Sequence, residues 1–545
     1  MSSSEYDDDS FSESGSEYNL SDVSDSESSV DSDQSISTAR NWVDVDINNP
    51  SPPPPRFPFT GNPGCRFNIN NVDPLAFFKL FFDLHLVNLI VSETNRYALQ
   101  QPRSSRHQWE PVTVGEMYTF LAICILQGIV KKPDERMYWS TNDLFFTPIF
   151  PKLMTKNRFA EIKQNLHFAD NASFDSSTHP APKLNKILAI VNNLNSKFSR
   201  LYEPERDITV DESLLLFKGR ISWRQYIPLK RSRYGVKFFM LCESSSGYLY
   251  KFIIYTGKDT ILDPKYNQMQ ITSQIVLSLV DPLLNKGHCV TTDNYYTSPQ
   301  LADYLISQQT DIYGTLRLNR RGIPDIIKRK KLKKGEIVAQ QRGKVMILKW
   351  EDKKTVTLLS TVHNATLVSK QTRVGTVQMK PRVVVDYNDT MGGVDRLDQQ
   401  LHDYPVARKR GKKYYKKIFF HLFDICLYNS FVLYKKYGGE KKHLAFRAQL
   451  IEQLIKEFHT VTKVYRGRPR TPGPCPLRLT ERHFPAFIPP TEKKAAPTRC
   501  CAVCCNKRDA KMKKIRKETR YWCRNCDVAL CPAPCFEIYH TTENI

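Results

Sequence analysis

Three stretches carry an aspartate at or just beyond a hydrophobic run: Ile208-Thr209-Val210-Asp211, Cys289-Val290-Thr291-Thr292-Asp293 and Met391-Gly392-Gly393-Val394-Asp395-Arg396-Leu397-Asp398. The alternation of Ile208 and Val210 with polar neighbours predicts a short buried strand that delivers Asp211 to its end, before Phe217-Lys218-Gly219-Arg220 turns into a basic rim. A carboxylate in such a place is costly unless a cation compensates it. If the three converge, they form an acidic pocket for Mg²⁺ or Mn²⁺, hard cations that take oxygen ligands. Two such ions activate an attacking hydroxyl and stabilise the leaving oxygen of an in-line phosphoryl transfer. Asp395 and Asp398 are three apart, so a helix puts them on one face and both are candidate ligands. The bland reading is that aspartate is also a common cap and turn residue.

A second kind of chemistry sits in the tail. Cys501-x₂-Cys504 and Cys523-x₂-Cys526 are separated by eighteen residues, a spacing at which thiolates close a tetrahedral zinc site. Cys531, Cys535 and His540 supply most of a second, structural Zn²⁺ site, and either its missing ligand is Cys500, Cys505 or a residue from outside the cluster, or one site is incomplete. The partition of ligands between the ions stays open, because cross-braced folds interleave their pairs. Lys507, Arg508, Lys511, Lys513, Lys514, Arg516 and Lys517 surround these cysteines, which favours a reader of DNA over a reader of protein.

The charge balance points the same way. The chain of 545 residues has a formal net charge of +24, yet residues 1–50 hold 13 acidic residues against the single Arg40. The remainder therefore carries 79 basic and 43 acidic residues, and an excess of that size over a folded body selects a polyanionic partner, nucleic acid first. No membrane partner is expected: the longest apolar run, Phe120 to Val130, is about half of the ~20 residues a bilayer span needs. The N-terminus is acidic where a signal peptide is basic, and the cysteines cluster as in a reducing compartment.

The elements that must position these groups follow from pattern. Residues 1–57, rich in Ser, Asp and Glu and ending near Ser51-Pro52-Pro53-Pro54-Pro55, read as a disordered acidic arm whose serines suit an acidophilic kinase. Residues 58–206 read as helical: Asp73 caps a helix with Pro74 at its first position, and Thr113 with Glu116 makes a capping box. Residues 207–319 read as strands, then alternating helix and strand, resuming at 382–404, the layout of an RNase H-like core with a mixed sheet. Residues 320–381 read as a β-rich insertion opened by Lys328-Arg329-Lys330-Lys331, a nuclear-import signal, a DNA contact or a solvated loop. Residues 405–490 return to helix, and 499–545 form the cysteine-rich zinc domain. The fold class is thus multidomain α+β.

Candidate DNA contacts are Lys218 and Arg220 on the rim, and Arg408, Lys409, Arg410, Lys412, Lys413 and Tyr414, where cations adjoin an aromatic able to stack on a base. Arg466, Arg468 and Arg470, in Arg-Gly-Arg-Pro-Arg, resemble the core of an AT-hook or are a flexible basic linker.

Four motifs in order now make the chain recognisable: Thr209-Val210-Asp211-Glu212-Ser213 with Phe217-Lys218-Gly219-Arg220, Asp293-Asn294-Tyr295-Tyr296-Thr297-Ser298, Met391 to Gln399, and the tail from Lys517 to His540. From about residue 58 to the end it resembles the piggyBac transposase family. The resemblance implies that Asp211, Asp293 and Asp395 match the catalytic carboxylates and Asp398 a further essential acid. It also implies a nuclear homodimer acting on double-stranded DNA, with terminal inverted repeats as substrate, hairpin ends during excision and TTAA as target. The two helical segments flanking the core would form one dimerisation and DNA-binding domain, and Tyr414 stands where family members have Trp. The competing expectation is a domesticated DNA-binding or chromatin protein that keeps the scaffold without cutting.

Overall fold

The computed structural model describes residues 41–101, 109–228, 233–371, 377–407, 411–460, 482–492, 494–508 and 515–542. The chain divides into two compact units, Met1–Thr460 and Val461–Ile545. One sheet organises the first unit. Its strands are β1 (Val43–Asp44), β2 (Asp207–Leu216), β3 (Gln225–Tyr226), β4 (Tyr234–Glu243), β5 (Leu249–Ile254), β6 (Cys289–Thr292), β7 (Asp311–Thr315), β8 (Ile337–Arg342), β9 (Val345–Glu351) and β10 (Thr355–Ser360). The order across the sheet is β1-β8-β9-β10-β7-β6-β2-β4-β3, with β5 also on β4. Within it, β5-β4-β2-β6-β7 has antiparallel pairs on one side of β2 and parallel pairs on the other, the expected RNase H-like layout. The β4–β5 connection is the expected hairpin, closed by Gly247 at φ +73°.

Three expectations are corrected. Asp211 is not at the end of a strand: β2 runs on to Leu216, pairing with β4 as far as Leu216↔Gly235. Instead its parallel neighbour ends, since β6 stops at Thr292 opposite Val210. Residues 337–360, taken as part of a separate insertion, extend the main sheet, because β10 pairs with β7 and continues the hydrogen-bond ladder outward. Among the described residues of 320–381, only the hairpin β11 (Leu367–Gln371) and β12 (Val377–Pro381) forms a sheet of its own. Finally, the ordered chain starts well before residue 58: β1 pairs with β8, Trp42 lies under the Arg342 guanidinium, and the Phe57 N–H donates to Asp311 Oδ2 at 3.1 Å.

Helices cover both faces. Those used below are α1 (Pro74–Phe81), α2 (Leu84–Gln100), α3 (Val114–Ile129), α4 (Lys156–Asn165), α5 (Leu188–Leu201), α6 (Ile271–Val280), α7 (Pro299–Ser307), α8 (Arg382–Thr390), α9 (Gly393–Asp403), α10 (Tyr414–Lys436) and α11 (His443–Phe458). Asp73 caps α1 as expected, and a second aspartate, Asp83, caps α2, so one amphipathic run becomes two helices. Thr113 Oγ1 caps α3, but the Glu116 carboxylate turns outward to Arg158, 2.6 Å away, rather than back to complete the box. The helices before the sheet and those after it bury their apolar faces in one core, with Phe78 and Phe82 of the first segment edge-on to Phe423 of the second. Among the described residues no single helix is long and apolar enough to cross a membrane.

Four histidine rings of this unit, His167, His288 and His421 buried and His443 half-buried, are kept neutral: His167 and His288 are held down at about 4, and His421 and His443 at about 3, in each case first by burial, which disfavours the charged ring. Native values below the unfolded value mean stabilisation present above pH ~6.5 and lost as pH falls from there. For the buried His421 the slope is about 1.4 kcal/mol per pH unit. Asp424, pushed up to about 6 by burial, works in the opposite direction, so a variant is needed to isolate the ring. The expected outcome is that calorimetric melting falls between pH 7 and pH 5 and that His421→Leu reduces the fall; an unchanged difference would contradict a neutral buried His421.

Candidate metal centre and zinc domain

The parallel register fixes the acids. Val210 pairs with Thr292, so the next residue on each strand, Asp211 and Asp293, emerge side by side. Both are buried, at 4% and 1% exposure, and with Glu212 they offer carboxylate oxygens within 4.8 Å of one another. The turn after β6 holds Asp293 in place: its Oδ1 accepts the Tyr295 N–H at 3.0 Å, and its carbonyl accepts the Thr297 hydroxyl at 2.8 Å. Ser298 then caps α7, with Pro299 at the first helical position. Asp211 Oδ1 accepts the Glu212 N–H at 2.8 Å.

The third and fourth acids come on α9, which packs on β2. Asp398 Oδ1 accepts the Ser213 hydroxyl at 2.7 Å, and Ser213 lies on the same strand face as Asp211. Asp395, in the first turn of α9, is exposed and stands outside the group of three acids within 4.8 Å. Its charge is nevertheless felt at the same place: burial first, and then the carboxylates of Asp293, Asp211 and Asp395, push the Tyr387 hydroxyl upward. Hydroxyls lock the start of α9 to the sheet. Thr209 Oγ1 donates to the Thr390 carbonyl at 2.7 Å, and Thr390 Oγ1 meets Thr291 Oγ1 at 3.0 Å and the Tyr313 hydroxyl at 2.7 Å. Gly393 lies so close that a Cβ there would sit 3.1 Å from Thr209 Oγ1, which explains a glycine directly before Val394-Asp395.

The Asp211 and Asp293 carboxylates, buried and with oxygens within 4.8 Å of each other where the parallel ladder ends, are donors that fit a hard divalent cation. Ser360, His363 and Asp386 also line up, at 2.8 and 3.0 Å, like a nucleophile relay. Ser360 is fully buried and accepts the N–H groups of Val362 and His363, so this trio closes a turn and reaches no substrate.

The basic candidates separate into outer and inner groups. Lys218, Arg220, Lys412 and Lys413 are exposed, and Lys413 Nζ donates to the Tyr97 hydroxyl at 3.2 Å. Tyr414 is half-buried, edge-on to Trp223 at 5.7 Å. Lys416 points inward onto the carbonyls of Lys163 and Gln164, where burial holds it down at about 7. Arg408, Lys409, Arg410, Arg466, Arg468 and Arg470 lie outside the described residues.

The second unit is built on two clusters. Cys501, Cys504, Cys531 and Cys535 form one, and His483, Cys523, Cys526 and His540 the other, each with ligand atoms within 4.8 Å. The pairs interleave, so the two CxxC motifs do not share an ion. The ligand the tail lacked is His483, 3.3 Å by Nδ1 from Cys523 Sγ, and neither Cys500 nor Cys505 takes part. A strand before His483's partner cysteines explains its inclusion: Pro485–Phe487 pairs with Tyr521–Cys523, so residues 482–490 belong to this unit and not to the helical segment expected to reach 490. Sulfur–sulfur distances of 3.4 and 3.9 Å around Cys504 bracket the ~3.8 Å of tetrahedral thiolates around Zn²⁺. One helix, α12 (Cys535–Thr541), supplies a ligand to each cluster. His540 Nδ1–H donates to the Phe536 carbonyl at 2.7 Å, leaving Nε2 for the metal.

Buried acids where a parallel strand pair ends in an RNase H-like core, followed by a unit with two Cys/His clusters, are the architecture of the transposase class. Residues 73–431 match a family model described as Transposase IS4, and residues 482–541 one described as a DDE_Tnp_1-like zinc finger. The chain is 29% identical over 485 residues to human PiggyBac transposable element-derived protein 3, covering 86% of this chain and 76% of that one. It is 28% identical over 379 residues to human PiggyBac transposable element-derived protein 2, covering 67% and 62%. A piggyBac transposase solved by cryo-EM as a synaptic complex with hairpin DNA superposes with a TM-score of 0.66 at 25% identity, over 87% of this chain and all of that one. The chain belongs to the piggyBac transposase family.

Glu212, Tyr387 and His483 were not among the residues expected from sequence. Glu212 was signalled only by its place inside a continuous buried strand, and His483 by being a histidine shortly before the first CxxC. Two zinc ions per chain are expected by elemental analysis; His483→Ala should release one on dialysis, and a chelator should unfold the Val461–Ile545 unit while melting of the Met1–Thr460 unit is unchanged. Retention of two ions by His483→Ala would contradict the assignment.

Proposed function

We propose that this chain is a Mg²⁺-dependent DNA transposase of the piggyBac type, and that Asp211, Asp293 and Asp395 are its catalytic carboxylates, with Asp398 beside them. The observation that carries the reading is the adjacency of Asp211 and Asp293 at the end of a parallel strand pair, in a chain of this family. Asp211 and Asp293 would hold the cation, and Asp395 would complete the set from the first turn of α9. A pair of Mg²⁺ or Mn²⁺ ions bound there supplies an activated hydroxyl and counter-charge for the leaving oxygen. The chain's own residues do the rest. Ser213 orients Asp398, the Tyr295 N–H orients Asp293, and the exposed Lys218, Arg220, Lys412 and Lys413 are placed to hold phosphates of the duplex.

Excision through hairpin ends at terminal inverted repeats, joining at TTAA, action as a homodimer in the nucleus, and phosphorylation of the acidic arm by an acidophilic kinase all belong to this proposal. The second reading, a non-cutting DNA-binding protein on the same scaffold, rests on the exposed position of Asp395 outside the close group of acids.

Purified full-length protein, Mg²⁺ and a labelled terminal-repeat duplex distinguish the two. Nicking and hairpin formation are expected, with Asp211→Asn and Asp293→Asn each lowering the rate by at least about 100-fold, the scale of losing one group that stabilises transition-state charge. Salt-sensitive binding with no cleavage by the wild-type protein would establish the second reading instead.

A further inference from the structure

Glu212 follows Asp211 on β2, so its side chain leaves the opposite face of the sheet, the face that carries Ile208 and Val210. It is 2% exposed, and burying a carboxylate there requires partners. It has two. Its Oε2 accepts the Tyr296 hydroxyl at 3.0 Å, and its Oε1 lies 3.9 Å from the Lys237 ammonium. Lys237 comes from β4, opposite Leu214, and is itself buried between the rings of Phe239 and Tyr295, 4.9 Å from each. Tyr296 is fully buried and belongs to the turn that begins at Asp293, its N–H donating to the Asp293 carbonyl at 3.2 Å.

We propose that Glu212 is a positioning residue for the metal centre: a buried strut that ties the strand bearing Asp211 to the turn bearing Asp293 through Tyr296, with Lys237 neutralising it. The inference rests on the metal-binding reading above and deepens it. Adjacent parallel strands fix the two aspartate Cα atoms, but the turn after β6 is free of the ladder, and nothing in the ladder sets how far its acid stands from Asp211. The Glu212–Tyr296 bond supplies that restraint from beneath the sheet. Both of its oxygens already face a donor, so Glu212 acts through its neighbours and not as a ligand, although one of its oxygens lies within 4.8 Å of the aspartates.

The test is Mn²⁺ titration of the full-length protein, followed by loss of the free-ion EPR signal, with Asp293→Asn run alongside to isolate this centre. Tyr296→Phe, which removes one hydroxyl and no volume of note, should weaken Mn²⁺ binding about tenfold while circular dichroism, zinc content and DNA affinity stay at wild-type values. Glu212→Gln should weaken it at least as much. Wild-type Mn²⁺ affinity in Tyr296→Phe overturns the strut and leaves the metal centre intact. Loss of binding in Glu212→Gln equal to that in Asp293→Asn, with Tyr296→Phe unaffected, makes Glu212 a ligand and also overturns it. A wild-type protein that takes up no Mn²⁺ at this centre overturns the metal reading and the strut together. Should Glu212→Gln fail to fold, Tyr296→Phe alone decides.

Discussion

The register of the short parallel ladder between β2 and β6 is the constraint on which the site depends. With Val210 opposite Thr292, Asp211 and Asp293 are set side by side, and a slip of one residue on either strand would turn one acid to the other face. That register is held from both sides. β4 pairs with β2 along nine residues, and β7 pairs with β6 from Cys289↔Asp311 to Thr292↔Gly314. A long strand inside a ten-stranded sheet, paired on both sides, is a rigid support on which to set carboxylates that repel one another.

The other parts serve that arrangement or compensate its cost. The hydroxyls of Thr209, Thr291, Thr390 and Tyr313 anchor the junction of α8 and α9, and Gly393 lets α9 approach closely enough for Asp398 to reach Ser213. The helical segments before and after the sheet share one aromatic core, so a long excursion through the sheet begins and ends on the same support. Far along the chain, the zinc unit solves a different problem. It has a small apolar core, and its two Cys/His clusters, on binding metal, would take the place of the burial that a domain of that size cannot achieve.

What could be read from sequence was local, and what could not was long-range pairing. The caps at Asp73 and Thr113, the Ser244–Gly247 hairpin and the helix opened by Pro299 were all legible, because each rests on residues a few positions apart. The full length of β2 was not, since alternation ends at Val210 where the strand becomes buried on both faces, from Thr209 to Ser213. Strands β8 to β10 were read as an insertion because their hydrophobic runs match an independent β-unit equally well; only pairing with β7 makes them part of the sheet. His483 escaped for the same reason, lying forty residues from the cysteine it approaches. The Asp211–Asp293 pair was anticipated from strand-end placement, whereas Glu212 on the reverse face was hidden by its neighbour.

The central claim is that the two aspartates jointly hold a divalent cation. Anomalous diffraction from crystals of the full-length protein soaked in Mn²⁺, recorded at the manganese edge, tests it directly. A peak bridging the Asp211 and Asp293 carboxylates, lost in Asp293→Asn, is the predicted result. Ordered, well-resolved carboxylates with no manganese peak between them would contradict it.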